Sequence, residues 1–237
     1  MTRWPPAANA WNSLTARLGR TFLSLAGMRC ITSWDELRQR LGEPKTILCL
    51  GNGPSSEVAG IDEARFDCLF RVNWIWQERA RLANPNVVFT ADFDPPSLGA
   101  PIICFPTRAD ANRILASYVR RRIGASAEYL VLPELPSPLI RKTWSHRPTN
   151  GAMMLAVAAQ LRPSRLIVAG IDLYLHPQGK YPGANDEPNQ YDAIHDRNID
   201  LAFIRAALDQ FDGTVEIQSA QLRSALAALG PQQLDLG

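Results

Sequence analysis

The chain has 237 residues, with 25 Lys and Arg against 23 Asp and Glu, and a formal net charge of +2. This length corresponds to one large domain or two small ones, and it suffices to bury a core without disulfides or metals. The 46% hydrophobic and 20% charged fractions exclude global disorder, a collagen-like chain and a disulfide scaffold. Because no basic field dominates, we expect no nucleic-acid partner.

The four cysteines are scattered along the chain, and no CxxC pair occurs. This pattern favours buried, reduced thiols of a cytoplasmic protein over a structural zinc site. The sequence contains no run of 18 apolar residues and no signal-peptide pattern, so we expect neither a membrane-spanning helix nor secretion. The expected location is therefore the cytoplasm.

Residues 1–30 differ in character from the rest of the chain. They begin with a Pro-rich stretch and continue with apolar residues at helical spacing, with Arg17 and Arg20 between them. Two interpretations remain open, namely a helix packed on the domain and an amphipathic anchor at the inner face of the cytoplasmic membrane. The sequence therefore divides into an N-terminal extension, 1–30, and a single domain, 31–237.

The predicted elements follow in a regular order. Ser33 and Glu36 form a capping-box pattern, which predicts a helix that continues to about Arg40. Apolar runs without polar alternation predict buried parallel strands at 46–50, 67–73, 87–91, 101–105, 128–132, 165–170 and 214–218. Helical patterns lie at 109–122, 150–161, 196–211 and 219–229. Because strands alternate with helices, the sequence predicts an α/β fold with a mostly parallel sheet and helices on both faces.

Residues 174–194 interrupt this alternation. They contain three prolines and two glycines and show almost no apolar period. Long loops inside compact domains usually serve as lids or binding segments. The sequence therefore predicts a mobile lid loop over 174–194.

A glycine-containing turn, GNGPS at 51–55, directly follows the first of these strands. Its position favours a ligand site, because open α/β sheets bind ligands at the carboxyl ends of their strands. The turn is not a dinucleotide fingerprint, since Ser56 stands where Gly or Ala is required, and Asn73 ends the second strand in place of an acid. No GKS or GKT of a Walker loop occurs either. A nucleotide other than NAD is the expected ligand.

The order of several motifs carries a family resemblance. GNGPS is followed by FRVN at 70–73, RPTNG at 147–151, GIDLY at 170–174, and then by Tyr181 and His195. In this order the chain resembles the bacterial sialyltransferases of glycosyltransferase family 42, which build sialylated lipooligosaccharide. The resemblance spans residues 46–229, is poor over 87–146 and does not include 1–30.

The resemblance implies a fold and an activity. The expected fold is a single Rossmann-like domain of the variant GT-A type. The expected activity is inverting, metal-independent transfer of sialic acid or a related nonulosonate from a CMP-activated donor to a glycan hydroxyl. Homo-oligomerisation is implied by the family analogy alone.

The resemblance also implies roles for individual residues. His195 matches the general base, Tyr174 and Tyr181 match the hydroxyls on the departing phosphate, and Arg147 matches a position near the donor and acceptor sugars. The positions implied to bind the nucleotide and donor are Gly51, Asn52, Gly53, Asn73, Thr149, Asn150, Gly151 and Asp172. Asn150 departs from the family, which commonly has Ser there.

The chemistry of such a transfer can also be considered from the residues alone. The acceptor hydroxyl must lose a proton, the leaving phosphate must be stabilised, and water must be excluded. His195 suits the first task, because an imidazole ordinarily titrates near neutrality. A surface or helix-capping histidine is the alternative, as ordinary half-buried residues are for Tyr174 and Tyr181. We interpret His146 and His176 as exposed.

Asp92 and Asp94 form a DxD pattern after the strand at 87–91. Carboxylates at this spacing can hold Mg²⁺ or Mn²⁺, although DFDPP is also a favourable turn sequence. The pattern leaves open a metal-dependent transferase that uses a nucleotide-diphosphate sugar. A non-catalytic nucleotide-binding homologue is a further alternative, and a dinucleotide oxidoreductase is disfavoured by the incomplete fingerprint.

Overall fold

The structure is a computed structural model that describes residues 14–74, 82–92, 101–121, 127–179, 181–182 and 193–229. Its strands are β1 (Arg29–Ile31), β2 (Thr46–Leu50), β3 (Cys68–Val72), β4 (Val87–Phe89), β5 (Ile102–Phe105), β6 (Glu128–Val131), β7 (Arg165–Ala169) and β8 (Thr214–Ile217). Its α-helices are α1 (Leu14–Leu25), α2 (Trp34–Arg40), α3 (Arg108–Arg121), α4 (Pro138–Arg141), α5 (Asn150–Gln160), α6 (Arg197–Leu208) and α7 (Ala220–Ala228). Short 3₁₀ turns span Pro54–Glu57 and Leu132–Glu134.

The described strands form one eight-stranded sheet with the order β1-β6-β5-β4-β3-β2-β7-β8. Every neighbouring pair is parallel. From β2 the chain proceeds through β3, β4, β5 and β6 on one side, and it returns to the other side of β2 with β7 and β8. This winding is that of a single Rossmann-like α/β domain, so the predicted fold class is confirmed.

Two faces of the sheet bury separate parts of the core, because alternate residues of a strand point to opposite faces. Ile47 and Cys49 of β2 pack with α5 and α6, whereas Leu48 and Leu50 face the segment that follows the Pro54–Glu57 turn. Nearer the β1 edge, α1 and α3 cover that second face. Helices therefore lie on both faces, as predicted.

Helix α5 lies at the centre of the molecule and begins beside the carboxyl ends of β2 and β7. Residues 152–159 are all buried, since the sheet covers one side of the helix and α6 covers another. A helix enclosed in this way is apolar all round and needs no polar stripe. This packing fixes the position of the helix N-terminus, which contributes to the candidate site below.

The N-terminal part of the described chain belongs to the same layers. Leu23 of α1 is 1% exposed and packs with Ile114 of α3, while β1 pairs with β6 as an edge strand. The sequence did not predict β1, because three residues give no periodic signal. The division at residue 30 stays a prediction, and residues 1–13 lie outside the described residues.

Most element ends agree closely with the sequence. Ser33 caps α2 as predicted, with its Oγ accepting from the Glu36 N–H at 3.2 Å, and the Glu36 carboxylate accepts from the Thr32 N–H.

The predicted lid spans 174–194, and its residues 180 and 183–192 lie outside the described residues. Among the described helices, none is long and apolar enough to cross a membrane.

Candidate functional site

A cleft with about 800 Å³ of open space lies at the carboxyl ends of β2, β3 and β7. This edge is the topological switch point of the sheet, because the chain leaves β2 in one direction through β3 and returns on the other side with β7. Open α/β sheets bind ligands at this point. Of the predicted site residues, the cleft is lined by Gly51, Asn52, Gly53, Asn73, Thr149, Asn150, Gly151, Asp172, Tyr174, Tyr181 and His195, and only Arg147 is not among its lining residues.

Two glycine turns pack directly against each other at the base of the cleft. Gly53 N–H donates to the Gly170 carbonyl at 2.9 Å, and a Cβ on either Gly51 or Gly170 would clash with the backbone of the other. Gly170 also has φ +71°, in the region that disfavours other residues. Gly51 and Gly170 are therefore explained by the close approach of two backbones, before any ligand is considered.

Two buried side chains in the cleft have an oxygen without a partner. Asn52 is 3% exposed, and its Nδ2 donates to the Val72 carbonyl at 3.0 Å, which identifies Oδ1 as the remaining acceptor. Asp172 is 4% exposed, and its Oδ2 accepts from the Ser55 N–H at 2.8 Å. Within the described residues, Asn52 Oδ1 and Asp172 Oδ1 accept no hydrogen bond.

An unsatisfied buried polar group costs about 1–3 kcal/mol. Both oxygens line the cleft, and both can only accept. The arrangement therefore suits a ligand that presents hydroxyl or amino donors to Asn52 and Asp172. An apolar ligand would leave both oxygens unsatisfied.

The N-terminus of α5 points its first turn into the same cleft. Thr149 caps the helix, and its Oγ1 accepts from the Ala152 N–H at 3.3 Å. Asn150 Nδ2 donates to Asn73 Oδ1 at 2.7 Å, which joins the helix start to the end of β3. The first N–H groups of a helix have no partner within the helix and carry partial positive charge, so this end suits an anion.

Sequence reasoning missed Asp200, which fixes the α5 terminus from α6. Asp200 is 1% exposed, and its two oxygens accept from the Thr149 N–H at 2.8 Å and the Thr149 hydroxyl at 2.7 Å. From sequence, an acid four residues after the Asp196 cap looks like an ordinary first-turn charge. Its partner lies 51 positions away, so no local signal was present.

The ring of His195 is oriented by a backbone carbonyl. Its Nδ1 lies 2.6 Å from the Arg147 oxygen. Because a carbonyl oxygen only accepts, Nδ1 carries the proton, and Nε2 of the neutral ring keeps its lone pair. The Arg147 N–H donates to the Ile194 carbonyl at 3.2 Å, which fixes the same two segments again. His195 thus lines the cleft in the tautomer that carries its lone pair on Nε2.

Tyr174 and Tyr181 meet at the rim of the cleft. Tyr181 OH donates to Tyr174 OH at 3.1 Å. Leu173 and Tyr174 have φ +52° and +55°, and the Leu175 N–H closes their turn on the Asp172 carbonyl at 2.8 Å. Left-handed conformations at non-glycine residues cost about 1–2 kcal/mol each, and such strain concentrates at functional sites.

The electrostatic surroundings keep Tyr181 protonated. Burial raises the pKa of its hydroxyl, and Tyr174 and the negative charges of Asp172 and Asp92 raise it further. A phenol in this state is a neutral hydrogen-bond donor across the physiological pH range. It can stabilise a developing negative charge without supplying a cation.

Arg147 lies beside the cleft, next to His195 in space. Its side chain is not among the lining residues, and its Nη1 lies 3.7 Å from Asp110 Oδ2. Its backbone oxygen, rather than its guanidinium, contacts a site residue, namely His195. A contact between the Arg147 side chain and a sugar stays a prediction.

The DxD pattern is only partly described. Asp94 lies outside the described residues, and Asp92 follows β4 with its N–H donating to Thr90 Oγ1 at 3.0 Å. Desolvation raises the pKa of the Asp92 carboxyl above its ordinary value. Among the described residues, no group of three or more His, Cys, Asp or Glu side chains is arranged to hold a metal ion.

Comparison with known proteins adds no family assignment. No family model matches the chain, and no curated protein or solved structure matches it significantly. The fold and the cleft therefore stand on the geometry above, and the sialyltransferase resemblance stays a prediction.

Proposed function

We propose that this chain is a glycosyltransferase that moves sialic acid or a related nonulosonate from a CMP-activated donor to a glycan hydroxyl. The observation that carries the proposal is that His195, in the tautomer with its lone pair on Nε2, lines the same cleft as two unsatisfied buried acceptors. The first feature suits a base that acts on a hydroxyl, and the second suits a nucleoside. The transfer inverts the anomeric centre and needs no metal.

The nucleotide is proposed to lie across the switch point. Asn52 Oδ1 and Asp172 Oδ1 would accept hydrogen bonds from its hydroxyl or amino groups, while its phosphate lies at the α5 N-terminus. Among the described lining residues there is no Lys or Arg. A single phosphate held by neutral donors fits this environment better than a diphosphate, which carries more charge.

The proposed reaction forms one bond and breaks one. His195 Nε2 takes the proton from the acceptor hydroxyl, and the acceptor oxygen bonds to the anomeric carbon of the donor. The bond between that carbon and the phosphate oxygen breaks, and CMP leaves with the electron pair. Tyr174 and Tyr181 stabilise the charge that develops on the leaving phosphate.

Calorimetry of CMP, UDP, GDP and NAD in the presence of EDTA tests the ligand. CMP is expected to bind most tightly, because the cleft suits one phosphate and its described lining has Asn73 rather than an acid directly after β3. Tight NAD binding without CMP binding would contradict the proposal. A transfer assay with a CMP-nonulosonate donor then separates an enzyme from a non-catalytic nucleotide-binding homologue.

A metal-dependent transferase that uses a nucleotide-diphosphate sugar is a second candidate. The observation in its favour is that the first carboxylate of the DxD pattern, Asp92, follows β4 and contributes to the raised pKa of Tyr181, although Asp92 does not line the cleft. Titration of Mn²⁺ into an EDTA-treated assay distinguishes the two. Activity that requires the metal and is lost in Asp92→Asn would favour the second candidate.

A further inference from the structure

His176, which was interpreted from the sequence as exposed, is partly buried and lines the cleft. It begins the turn His176-Pro177-Gln178-Gly179, in which the Gly179 N–H donates to the His176 carbonyl at 2.9 Å. Pro177 occupies the second position of this turn, where its fixed φ is favourable. Gly179 has φ +62°, so a glycine at the fourth position closes the turn at no steric cost.

The same turn orients the His176 imidazole. The Gln178 N–H donates to His176 Nδ1 at 3.3 Å. A backbone N–H only donates, so Nδ1 holds a lone pair and the proton of the neutral ring lies on Nε2. The His176 ring therefore presents an N–H donor that its own turn does not use.

The two histidines of the cleft are thus held in opposite tautomers. His195 keeps its proton on Nδ1 and accepts through Nε2, whereas His176 keeps its proton on Nε2 and donates. Each assignment follows from a backbone partner with a single possible role. One imidazole suits removal of a proton, and the other suits stabilisation of an anionic oxygen.

The other charges of the cleft favour an additional neutral donor for an anionic ligand. Its described lining carries the carboxylates of Asp172 and Asp200 and no Lys or Arg. Tyr174 and Tyr181 hydrogen-bond to each other. An anion that enters beyond the reach of the α5 N-terminus therefore depends on the neutral side chains at the rim, where His176 lies beside the two tyrosines.

We infer that His176 binds an anionic oxygen of the donor substrate through its Nε2–H, and so determines specificity for a charged donor. The inference rests on the proposed function, since that function supplies the ligand. The anionic oxygen belongs either to the phosphate or to the carboxylate of the nonulosonate sugar. Both are acceptors of the same chemistry, and they can be separated by the choice of ligand.

Two substitutions of His176 separate loss of its Nε2–H donor from loss of the hydrogen bond that its ring makes with the turn. In His176→Asn, a side-chain oxygen near the former Nδ1 can still accept the Gln178 N–H, but no donor reaches the former Nε2 position. In His176→Gln, the amide nitrogen reaches that position and supplies a donor. His146→Gln is the matched control, because His146 is also partly buried but is not among the lining residues.

The experiment is calorimetric titration of the full chain and these variants with cytidine, CMP and a hydrolysis-resistant CMP-sialic acid analogue. His176→Asn is expected to weaken binding of an anionic ligand about 10- to 100-fold, as loss of a hydrogen bond to a charged group does. His176→Gln restores part of this loss, and His146→Gln changes nothing. Cytidine binding is unchanged throughout.

The pattern of losses identifies the oxygen. Weaker binding of both CMP and the analogue assigns His176 to the phosphate, and weaker binding of the analogue alone assigns it to the sugar carboxylate. Unchanged affinity of His176→Asn for both ligands would overturn the inference and leave the proposed function standing. If the unsubstituted chain binds none of the three ligands, the proposed function and the inference both fail.

Discussion

Asp200 and Thr149 are joined by two hydrogen bonds, although 51 positions separate them in the chain. The bonds tie the start of α5 to the first turn of α6, directly after His195. The start of the helix that is proposed to hold the phosphate is therefore joined to the helix that begins two residues after the proposed base. A change at Asp200 is expected to affect both.

Replacing Asp200 by Ala leaves the Thr149 N–H and hydroxyl without their partner. We expect the free energy of unfolding to fall by about 2–4 kcal/mol, measured by urea denaturation. Asp209→Ala is the matched control on the same helix, where an exposed pair with Arg205 contributes less than about 1 kcal/mol. Equal losses of unfolding free energy in the two variants would show that the buried contact stabilises the protein no more than the exposed pair does.

Replacing His195 by Ala removes the proposed base without touching the Asn52 and Asp172 acceptors. Turnover in a transfer assay should fall by roughly 10²–10⁴, while CMP affinity stays nearly unchanged. The His146→Gln variant should retain full turnover. Undiminished transfer by a folded His195→Ala protein would remove His195 from the mechanism.

Replacing Gly170 by Ala tests the contact between the two glycine turns. An alanine at this position would have an unfavourable positive φ, and its Cβ would clash with the Gly51 backbone. Gly179→Ala has a similar positive φ but open space around it, so it isolates the conformational cost of about 1–2 kcal/mol. Thermal denaturation should show a clearly larger loss at Gly170, and a loss no larger than at Gly179 would contradict the packing described here.

The cysteines differ in accessibility. Burial raises the pKa of Cys49 and Cys104 well above the ordinary range and raises the pKa of Cys68 to about 12, whereas Cys30 is partly exposed. Because the thiolate is the reactive form, these three thiols should not react with a disulfide reagent at pH 8. Titration should detect one thiol in the folded protein and four in denaturant. Fast reaction of several thiols in the folded protein would show that the sheet opens readily.

The end of α1 presents Phe22 and Leu25, which are 48% and 85% exposed. Residues 1–30 also contain four arginines and no acidic residue. If this surface binds anionic lipid, the double variant Phe22→Ser, Leu25→Ser should sediment less with phosphatidylglycerol vesicles and keep its thermal stability. Leu23→Ser should instead unfold the protein, because Leu23 is buried. Unchanged sedimentation would favour the alternative of a helix that merely packs on the domain.

The sheet could be predicted from the sequence, because each of the predicted strands is encoded by its own short run of apolar residues. Each apolar run from 46–50 onward forms a strand, and Ser33 caps a helix through a residue three positions away. The failures have a common physical reason. β1 is too short to show a periodic pattern, and Asp200 contacts a residue that is distant in the chain. The His176 tautomer depends on a hydrogen bond between its ring and the Gln178 N–H, which no sequence motif predicts. The unpartnered oxygens of Asn52 and Asp172 can be identified only when the burial and the hydrogen-bond partners of both side chains are known.

The contact between Gly51 and Gly170 divides the cleft into two regions that evolution can alter to different degrees. The floor consists of the two glycine backbones in contact. A side chain added at either glycine would clash with the backbone of the other. The rim, from Tyr174 through His176 to Tyr181, consists of side chains carried on turns. Under the proposed function, variants of this chain with new sugar specificities would therefore differ at the rim, while the end proposed to hold the nucleotide keeps its shape.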